Sequence, residues 1–312
     1  MKLLLSFLLL FTLPVLLSAQ SIYTKTYGNP KNQAVVFLHG GPGYNAAAFE
    51  GTTAEALAKD GFYVIVYDRR GEGRSSDDNA TFTFEETFTD LNSIYKKFKL
   101  KKAVLIGHSF GGIVATLFAE QYPKKVQSLV LVGAPLDLQA TFNTIINRAT
   151  EIYITKEDKT NLYYMNLLQT MDKNSMEYAS YCFTHAMQNG FYSPKNPSSA
   201  ATAIYATFRT EPLLIEHGSK MTYKAPQGFW KNEQYTSLNI YPNLQTVLQQ
   251  ETPVFGLYGK EDGLFSVAQI ENLEQILGEN KLLYLDNCSH NVFIDQQNTF
   301  ILALKNWTAT HE

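Results

Sequence analysis

The sequence predicts an α/β fold: a mainly parallel sheet wrapped by helices, with one inserted, mostly helical cap. Three observations predict it. Apolar runs of strand length recur along the chain with helix-like segments between them. Most of these runs lack polar alternation, as expected of strands covered on both faces. The alternation of strand and helix breaks off once, from about Asp137 to Tyr241. Strand and helix in alternation give parallel pairing, because each crossover helix returns the chain to the same end of the sheet.

Residues 1–20 read as a secretory signal peptide and are set apart from the fold. Met1-Lys2 is a short basic start, Leu3 to Leu17 is almost wholly apolar, and Ser18-Ala19-Gln20 offers a small residue for cleavage. The run is short for a membrane span and has no charged stop-transfer border. Cleavage after Ala19 is the expectation, although Leu17 stands where a small residue is usual. An uncleaved anchor is the competing reading. No cysteine follows the apolar stretch, which leaves a lipid anchor unsupported. The expectation is an exported protein, periplasmic or secreted, without a membrane span once the signal is removed.

The remaining chain, roughly 290 residues, suffices for one large domain carrying an inserted subdomain. Its core is assigned to 21–136 and 242–312. Strands are expected at Ala34 to Leu38, Phe62 to Tyr67, Ala103 to Ile106, Ser128 to Val132, Pro253 to Tyr258 and Lys281 to Leu285. Phe84, Phe88, Leu91, Ile94, Tyr95 and Phe98 recur at helical spacing and form one apolar stripe. Ser266 with Gln269 makes a capping-box start for a helix through Leu277. Ile113 to Gln121 reads as a helix that Pro123 stops. Residues 137–241 form the cap, rich in Tyr and Phe, with a loop-like break over Ser193-Pro194-Lys195-Asn196-Pro197-Ser198-Ser199. No repeat of solenoid period and no long low-complexity tract is found.

Composition excludes several functions. The formal net charge is −3, with Lys and Arg scattered, so nothing marks a nucleic-acid or anionic-membrane surface. No metal-ligand spacing and no dinucleotide fingerprint occurs, so neither metal nor cofactor is expected. The two cysteines, Cys182 and Cys288, are far apart in sequence and make no disulfide scaffold. They are read as free buried thiols, with a single bridge as the alternative.

The chemistry centres on Gly107-His108-Ser109-Phe110-Gly111-Gly112, between an apolar strand and a helix. G-x-S-x-G in that setting is a nucleophile elbow, a sharp turn that lifts Ser109 Oγ out of the sheet at a helix N-terminus. A glycine-rich turn with an incidental serine is the competing reading, and the strand–turn–helix context weighs against it. A serine nucleophile needs a base, an acid to orient that base, and donors for the oxyanion. His290, in the polar turn Asp286-Asn287-Cys288-Ser289-His290-Asn291 after a strand, is the leading base. His39 and His108 belong to other motifs, His185 and His217 to the cap, and His311 to the chain end. The acid is assigned to Asp262 in Gly259-Lys260-Glu261-Asp262-Gly263, with Glu261 as competitor and Asp137 as a more distant alternative. The oxyanion donors are assigned to the N–H groups of Phe110 and Gly41, the latter in His39-Gly40-Gly41-Pro42-Gly43, where Pro42 has none to give. Asp68-Arg69-Arg70-Gly71-Glu72-Gly73-Arg74-Ser75 is read as structural: Asp68 and the arginines pin a glycine-rich loop near the active-site rim.

These segments together resemble the signatures of the α/β-hydrolase superfamily, and His39 to Gly43 is most similar to its proline iminopeptidase-like branch of serine aminopeptidases. The likeness spans the core, from about Ala34 to Pro135 and from Pro253 to the end. It implies a Ser109–Asp262–His290 triad and a small-molecule or short-peptide substrate. Relatives with these motifs include aminopeptidases, amidases and esterases. Dehalogenases and epoxide hydrolases are disfavoured, because their nucleophile is Asp where this chain has Ser109. The chain departs from the branch at Arg69, where Gln is typical, and at Phe110, where Trp or Tyr is frequent. In that branch cap glutamates hold the substrate's free amine. Glu211 and Glu216 are the residues available for this, and a solvated helix face is the other reading of each. The expected function is hydrolysis of a small amide, N-terminal peptide bond or ester. The alternatives are a carboxylesterase of small apolar esters and a non-catalytic binding protein on the same scaffold.

Overall fold

The computed structural model describes residues 22–308. The signal-peptide reading of residues 1–20 and the terminal His311 lie outside the described residues. Seven strands form one sheet: β1 (Thr24–Tyr27), β2 (Gln33–Leu38), β3 (Phe62–Tyr67), β4 (Ala103–His108), β5 (Val126–Val132), β6 (Val254–Gly259) and β7 (Leu282–Leu285), in the spatial order β1-β3-β2-β4-β5-β6-β7. All neighbouring pairs are parallel except β1 with β3. Strand β1 is additional to the six expected. Its sequence, Thr-Lys-Thr-Tyr, is polar and only partly buried, because it lies at the sheet edge.

Successive residues of the central strands face opposite sides. Val36, Leu38, Ile65, Leu105, Leu129 and Leu131 enter one core, and Val35, Phe37, Val64, Val66, Val104 and Ile106 the other. This two-sided burial explains the unbroken apolar runs. Each fully buried aliphatic side chain contributes about 1.5–3 kcal/mol. On the second side lie α1 (Ala47–Phe49), a π-helical turn Glu50–Ala54, and α2 (Glu55–Lys59). On the first lie α3 (Phe84–Lys97), which carries the apolar stripe, and α4 (Phe110–Gln121). Helix α4 starts three residues earlier than Ile113, directly at the elbow.

Between β5 and β6 the chain forms α5 (Leu138–Thr155), α6 (Lys159–Thr170), α7 (Met176–Gln188), α8 (Ser199–Thr207), α9 (Pro212–His217) and α10 (Lys224–Glu233). The two ends of this excursion are stitched together: Leu138 N–H donates to Leu238 O at 3.0 Å and Ile240 N–H to Leu136 O at 2.7 Å. The chain then runs through α11 (Tyr241–Gln249), α12 (Val267–Leu277), α13 (Val292–Asp295) and α14 (Gln297–Thr308). The Ser266–Gln269 capping box opens α12. Among the described residues no helix is long and apolar enough to cross a membrane. Cys182 and Cys288 are both buried and free.

Candidate active site

Ser109 sits between the end of β4 and the start of α4 with φ +52°, a conformation that non-glycine residues adopt only under constraint. The constraint is visible on both sides: Ser109 N–H donates to Val132 O at 2.9 Å, and Gly112 N–H to Ser109 O at 2.8 Å. The glycines allow the helix to cross the sheet at close range. A Cβ on Gly111 would lie 2.1 Å from the Leu38 carbonyl oxygen of β2. The serine thus occupies the N-cap position of a 12-residue helix, at its positive end.

His290 arrives from the turn after β7. Its Nδ1 lies 2.8 Å from Asp262 Oδ2, in the turn after β6, and the two side chains are 6% and 0% exposed. A carboxylate only accepts, so Nδ1 carries the proton and Nε2 is the free ring nitrogen. The other carboxylate oxygen, Oδ1, accepts Leu264 N–H at 3.0 Å, and Arg148 of α5 holds the Asp262 carbonyl at 2.9 Å. One hydrogen bond ties His290 to the elbow. His108, the residue before the serine, lies with Nε2 3.1 Å from the His290 carbonyl. Burial, and secondarily His290, push the His108 imidazole down to about 3, so it is neutral and donates from Nε2–H. A Cβ on Gly133, just past β5, would lie 3.2 Å from His290 Nδ1.

The competing acids have other partners. The Glu261 carboxylate accepts the backbone N–H of Lys195. Asp137 caps α5 through Ala140 N–H at 3.0 Å and accepts Asn239 Nδ2 at 3.1 Å. Of the three carboxylates weighed from the sequence, Asp262 is the one that reaches His290.

Of the two segments expected to supply oxyanion donors, Phe110 belongs to the elbow itself, and the Gly40–Gly41 loop lies against it, where a Cβ on Gly40 would be 3.1 Å from Ser109 Cβ. Phe110 N–H is at the first position of α4, where no intrahelical acceptor exists. Gly41 has φ +119°, and a Cβ there would lie 2.8 Å from Gly43 N. Among the described residues, neither of these two N–H groups donates a hydrogen bond. The loop from Asp68 to Ser75 clamps the region with charge. Asp68 accepts from Ala46 N, Arg74 N, Arg74 Nε and Arg74 Nη2 at 2.7–2.9 Å. Burial opposes its ionisation, but Arg74 and these donors hold its carboxyl below the usual range. Arg70 pairs with Asp90 and with Asp77 at 2.8 Å. Arg69 and Glu72 form a further pair at 2.9 Å, 1% and 0% exposed.

The cap meets the site through aromatic rings. Phe229 and Tyr235 pack edge-on against Phe110 at 5.1 and 5.7 Å, and Tyr192 against His290 at 5.1 Å. Phe191 O, accepting Ser289 Oγ at 3.0 Å and Gly263 N–H at 3.0 Å, fixes the Tyr192 segment beside the histidine. The structure does not bring Glu211 or Glu216 into this group. Both are exposed on α9 and its N-cap, and Glu216 faces Lys220 at 3.9 Å and His217 at 3.5 Å.

Sequence reasoning missed three contributors. Tyr192 lies at the edge of the polar break in the cap, where nothing in its neighbours signals a contact with His290. Asp295, 2% exposed, accepts Tyr205 Oη at 2.7 Å and Ser289 N–H at 2.8 Å, tying α8 to the histidine turn. Burial is the main reason its carboxyl is pushed up to about 6. The third is Glu72: the arginines of this segment are read from the sequence as pinning a glycine-rich loop, but the pairing of Arg69 with Glu72 is not. Among the described residues no cluster of His, Cys, Asp and Glu could hold a metal ion.

The sequence pattern of the alpha/beta hydrolase fold matches residues 33–297. The proline iminopeptidase of Lactobacillus helveticus is 24% identical over 285 residues, covering 89% of this chain and 90% of that protein. A proline iminopeptidase-related protein of Thermus thermophilus superposes with a TM-score of 0.66 at 19% identity, over 92% of this chain and 94% of the other. An esterase from Exiguobacterium antarcticum superposes with a TM-score of 0.59 at 18% identity, over 92% and 95%.

Proposed function

The chain belongs to the alpha/beta hydrolase family, and from that premise we propose that it is a serine hydrolase of small esters or amides, with Ser109 as nucleophile. The observation that carries the reading is the buried 2.8 Å contact of Asp262 with His290 Nδ1, beside an elbow whose serine is held at φ +52°. In this reaction His290 Nε2 takes the Ser109 proton as Oγ attacks the substrate carbonyl carbon. Asp262 keeps Nδ1 protonated and stabilises the imidazolium that forms. Gly41 N–H and Phe110 N–H receive the oxyanion, where preorganised donors are most effective. Collapse of the adduct expels the leaving group, which His290 protonates, and water repeats the sequence on the acyl-enzyme.

The aromatic rings around Phe110 and His290 favour a small substrate with an apolar acyl part. A second reading, release of an N-terminal residue, is supported by similarity to proline iminopeptidases over most of the chain. It requires a carboxylate for the free amine, and Glu211 and Glu216 would have to move from their exposed positions to supply it. We also propose that the protein is exported, on the strength of residues 1–20. Edman or mass-spectrometric identification of Gln20 as the mature N-terminus tests this.

A fluorophosphonate probe, with p-nitrophenyl esters and aminoacyl naphthylamides as substrates, tests the main reading. Wild-type protein should be labelled at Ser109 and turn over at least one class, whereas Ser109→Ala should do neither and keep its melting temperature. Retained turnover in pure Ser109→Ala would overturn the assignment. An unlabelled, inactive wild type would favour a binding protein. Aminoacyl turnover that falls on Glu211→Gln or Glu216→Gln through KM alone would select the exopeptidase.

A further inference from the structure

Arg69 reaches both oxyanion segments with one buried guanidinium. Its Nη1 donates to His39 O, and its Nη2 to Gly40 O at 2.7 Å. Its Nε and Nη2 donate to Glu72 at 2.9 and 3.0 Å, and Glu72 Oε2 also accepts Gly43 N–H at 2.7 Å. The pair therefore holds the loop on either side of Gly41, by two carbonyls before it and one N–H after it. On its other side the guanidinium carbon lies 5.3 Å over the Phe110 ring, within range of a cation–π contact.

The geometry of the peptide unit gives this clamp a specific effect. Gly40 C=O and Gly41 N–H belong to one planar peptide group, in which the two bonds point in opposite directions. Fixing the carbonyl direction fixes the direction of the N–H. A cationic donor on the carbonyl also polarises the same amide, and chains of hydrogen bonds strengthen one another in a low-dielectric interior. His39 Nδ1, 2.9 Å from the same carbonyl oxygen, supplies a second, neutral donor, because His39 Nε2 accepts Arg69 N–H at 3.0 Å.

We propose that Arg69, paired with Glu72, is a positioning residue that aims and strengthens the Gly41 N–H for the oxyanion. The inference rests on the serine-hydrolase reading above. Arg69 touches no substrate; it acts through the Gly40–Gly41 peptide. A lysine cannot replace it, since a single ammonium cannot span His39 O, Gly40 O and Glu72 in one plane.

The test compares wild type with Arg69→Lys and with the double variant Arg69→Gln/Glu72→Gln, which removes both charges and leaves neither buried alone. Two quantities are measured on folded protein: kcat and KM for a p-nitrophenyl ester, and the Ki of a trifluoromethyl ketone, whose hemiketal oxyanion occupies the hole. Misplacement of a donor by about 1 Å costs on the order of a hundredfold, so kcat should fall roughly ten- to a hundredfold in both variants with KM little changed. The trifluoromethyl ketone should weaken by the same factor as kcat/KM. A purely structural role would lower the melting temperature and leave Ki of the folded fraction unmoved. Folded variants with kcat and Ki near wild type, or with the loss confined to KM, overturn the proposal. If the double variant does not fold, Arg69→Lys decides by the same two quantities. A wild type that neither hydrolyses the ester nor reacts with a fluorophosphonate overturns the serine-hydrolase reading and this proposal with it. An active wild type with unaffected variants overturns this proposal alone.

Discussion

Replacing Asp262 by Asn tests the relay on which the proposed chemistry depends, and the surrounding bonds set the size of the effect. The carboxylate has two tasks: Oδ2 accepts His290 Nδ1–H at 2.8 Å and Oδ1 accepts Leu264 N–H at 3.0 Å. Asparagine can accept at only one of these. If its oxygen stays on Leu264 N–H, its amide donates towards His290, and the ring must place its proton on Nε2. That tautomer cannot take the Ser109 proton, and activity in this state falls about ten-thousandfold. If the amide turns over, His290 keeps the useful tautomer but Leu264 N–H is left buried without an acceptor, at about 1–3 kcal/mol. On that cost alone, the competent form is roughly one-sixth to one-hundred-and-sixtieth of the population. A neutral amide also stabilises the imidazolium less than a carboxylate, by about 1–1.5 kcal/mol or roughly another tenfold. The turned form, although rare, carries most of the remaining turnover, so the expected loss in kcat/KM lies between about fifty- and two-thousandfold. The assay is ester hydrolysis across neutral to alkaline pH, with thermal melts to show the fold intact. Glu261→Gln and Asp137→Asn are the controls, because their carboxylates serve Lys195 N–H and the start of α5. A folded Asp262→Asn protein within tenfold of wild type would show that Asp262 does not set the tautomer of a catalytic His290.

Three further outcomes follow from the geometry. Asp295 titrates at about 6 when folded, against an ordinary 3.8, so between these values the folded chain holds a proton that the unfolded chain has released. Its contribution to stability is full below the lower value and is lost as pH rises through the upper one, by up to about 3 kcal/mol. The pH profile of unfolding free energy should lose this slope in Asp295→Asn, and an unchanged slope would show that the carboxyl is not so raised. Gly111→Ala places a Cβ 2.1 Å from Leu38 O; the expected cost is about 3 kcal/mol or more, a fall in Tm of about 6 °C or more for a domain of this size. A melt within about 2 °C of wild type, the shift that about 1 kcal/mol produces, would mean that the crossing of α4 and β2 has room for a methyl group. Burial pushes the Cys182 thiol up to about 12 and raises Cys288 as well, so a thiol reagent should titrate neither in native protein and both in denaturant. Reaction of either in the native state would contradict its burial.

The order of the core elements and the residues at their ends could be read from the chain before it was folded. Six apolar runs of strand length, most of them without polar alternation and separated by helical spacings, point to a parallel sheet covered on both faces. The elbow is legible for a similar reason: glycines around a serine, placed between strand and helix, satisfy a local steric demand that few other sequences meet. Strand β1 escapes such a reading because edge pairing needs little hydrophobicity, and its partner β3 lies some forty residues on. Asp262 is the acid assigned from the sequence by its place after a late strand, but which of the two neighbouring carboxylates reaches His290 is seen only in the folded chain. Adjacent acids on one turn are equivalent in composition, and the direction of the turn sends one carboxylate to His290 and its neighbour to Lys195. The same holds for Arg69 and Glu72, whose joint hold on the loop bearing Gly41 is seen only once that loop is folded against them. Local sterics are written in neighbouring residues. Where a side chain points across the sheet depends on crossings between segments far apart in the chain, and those are settled only when the whole core closes.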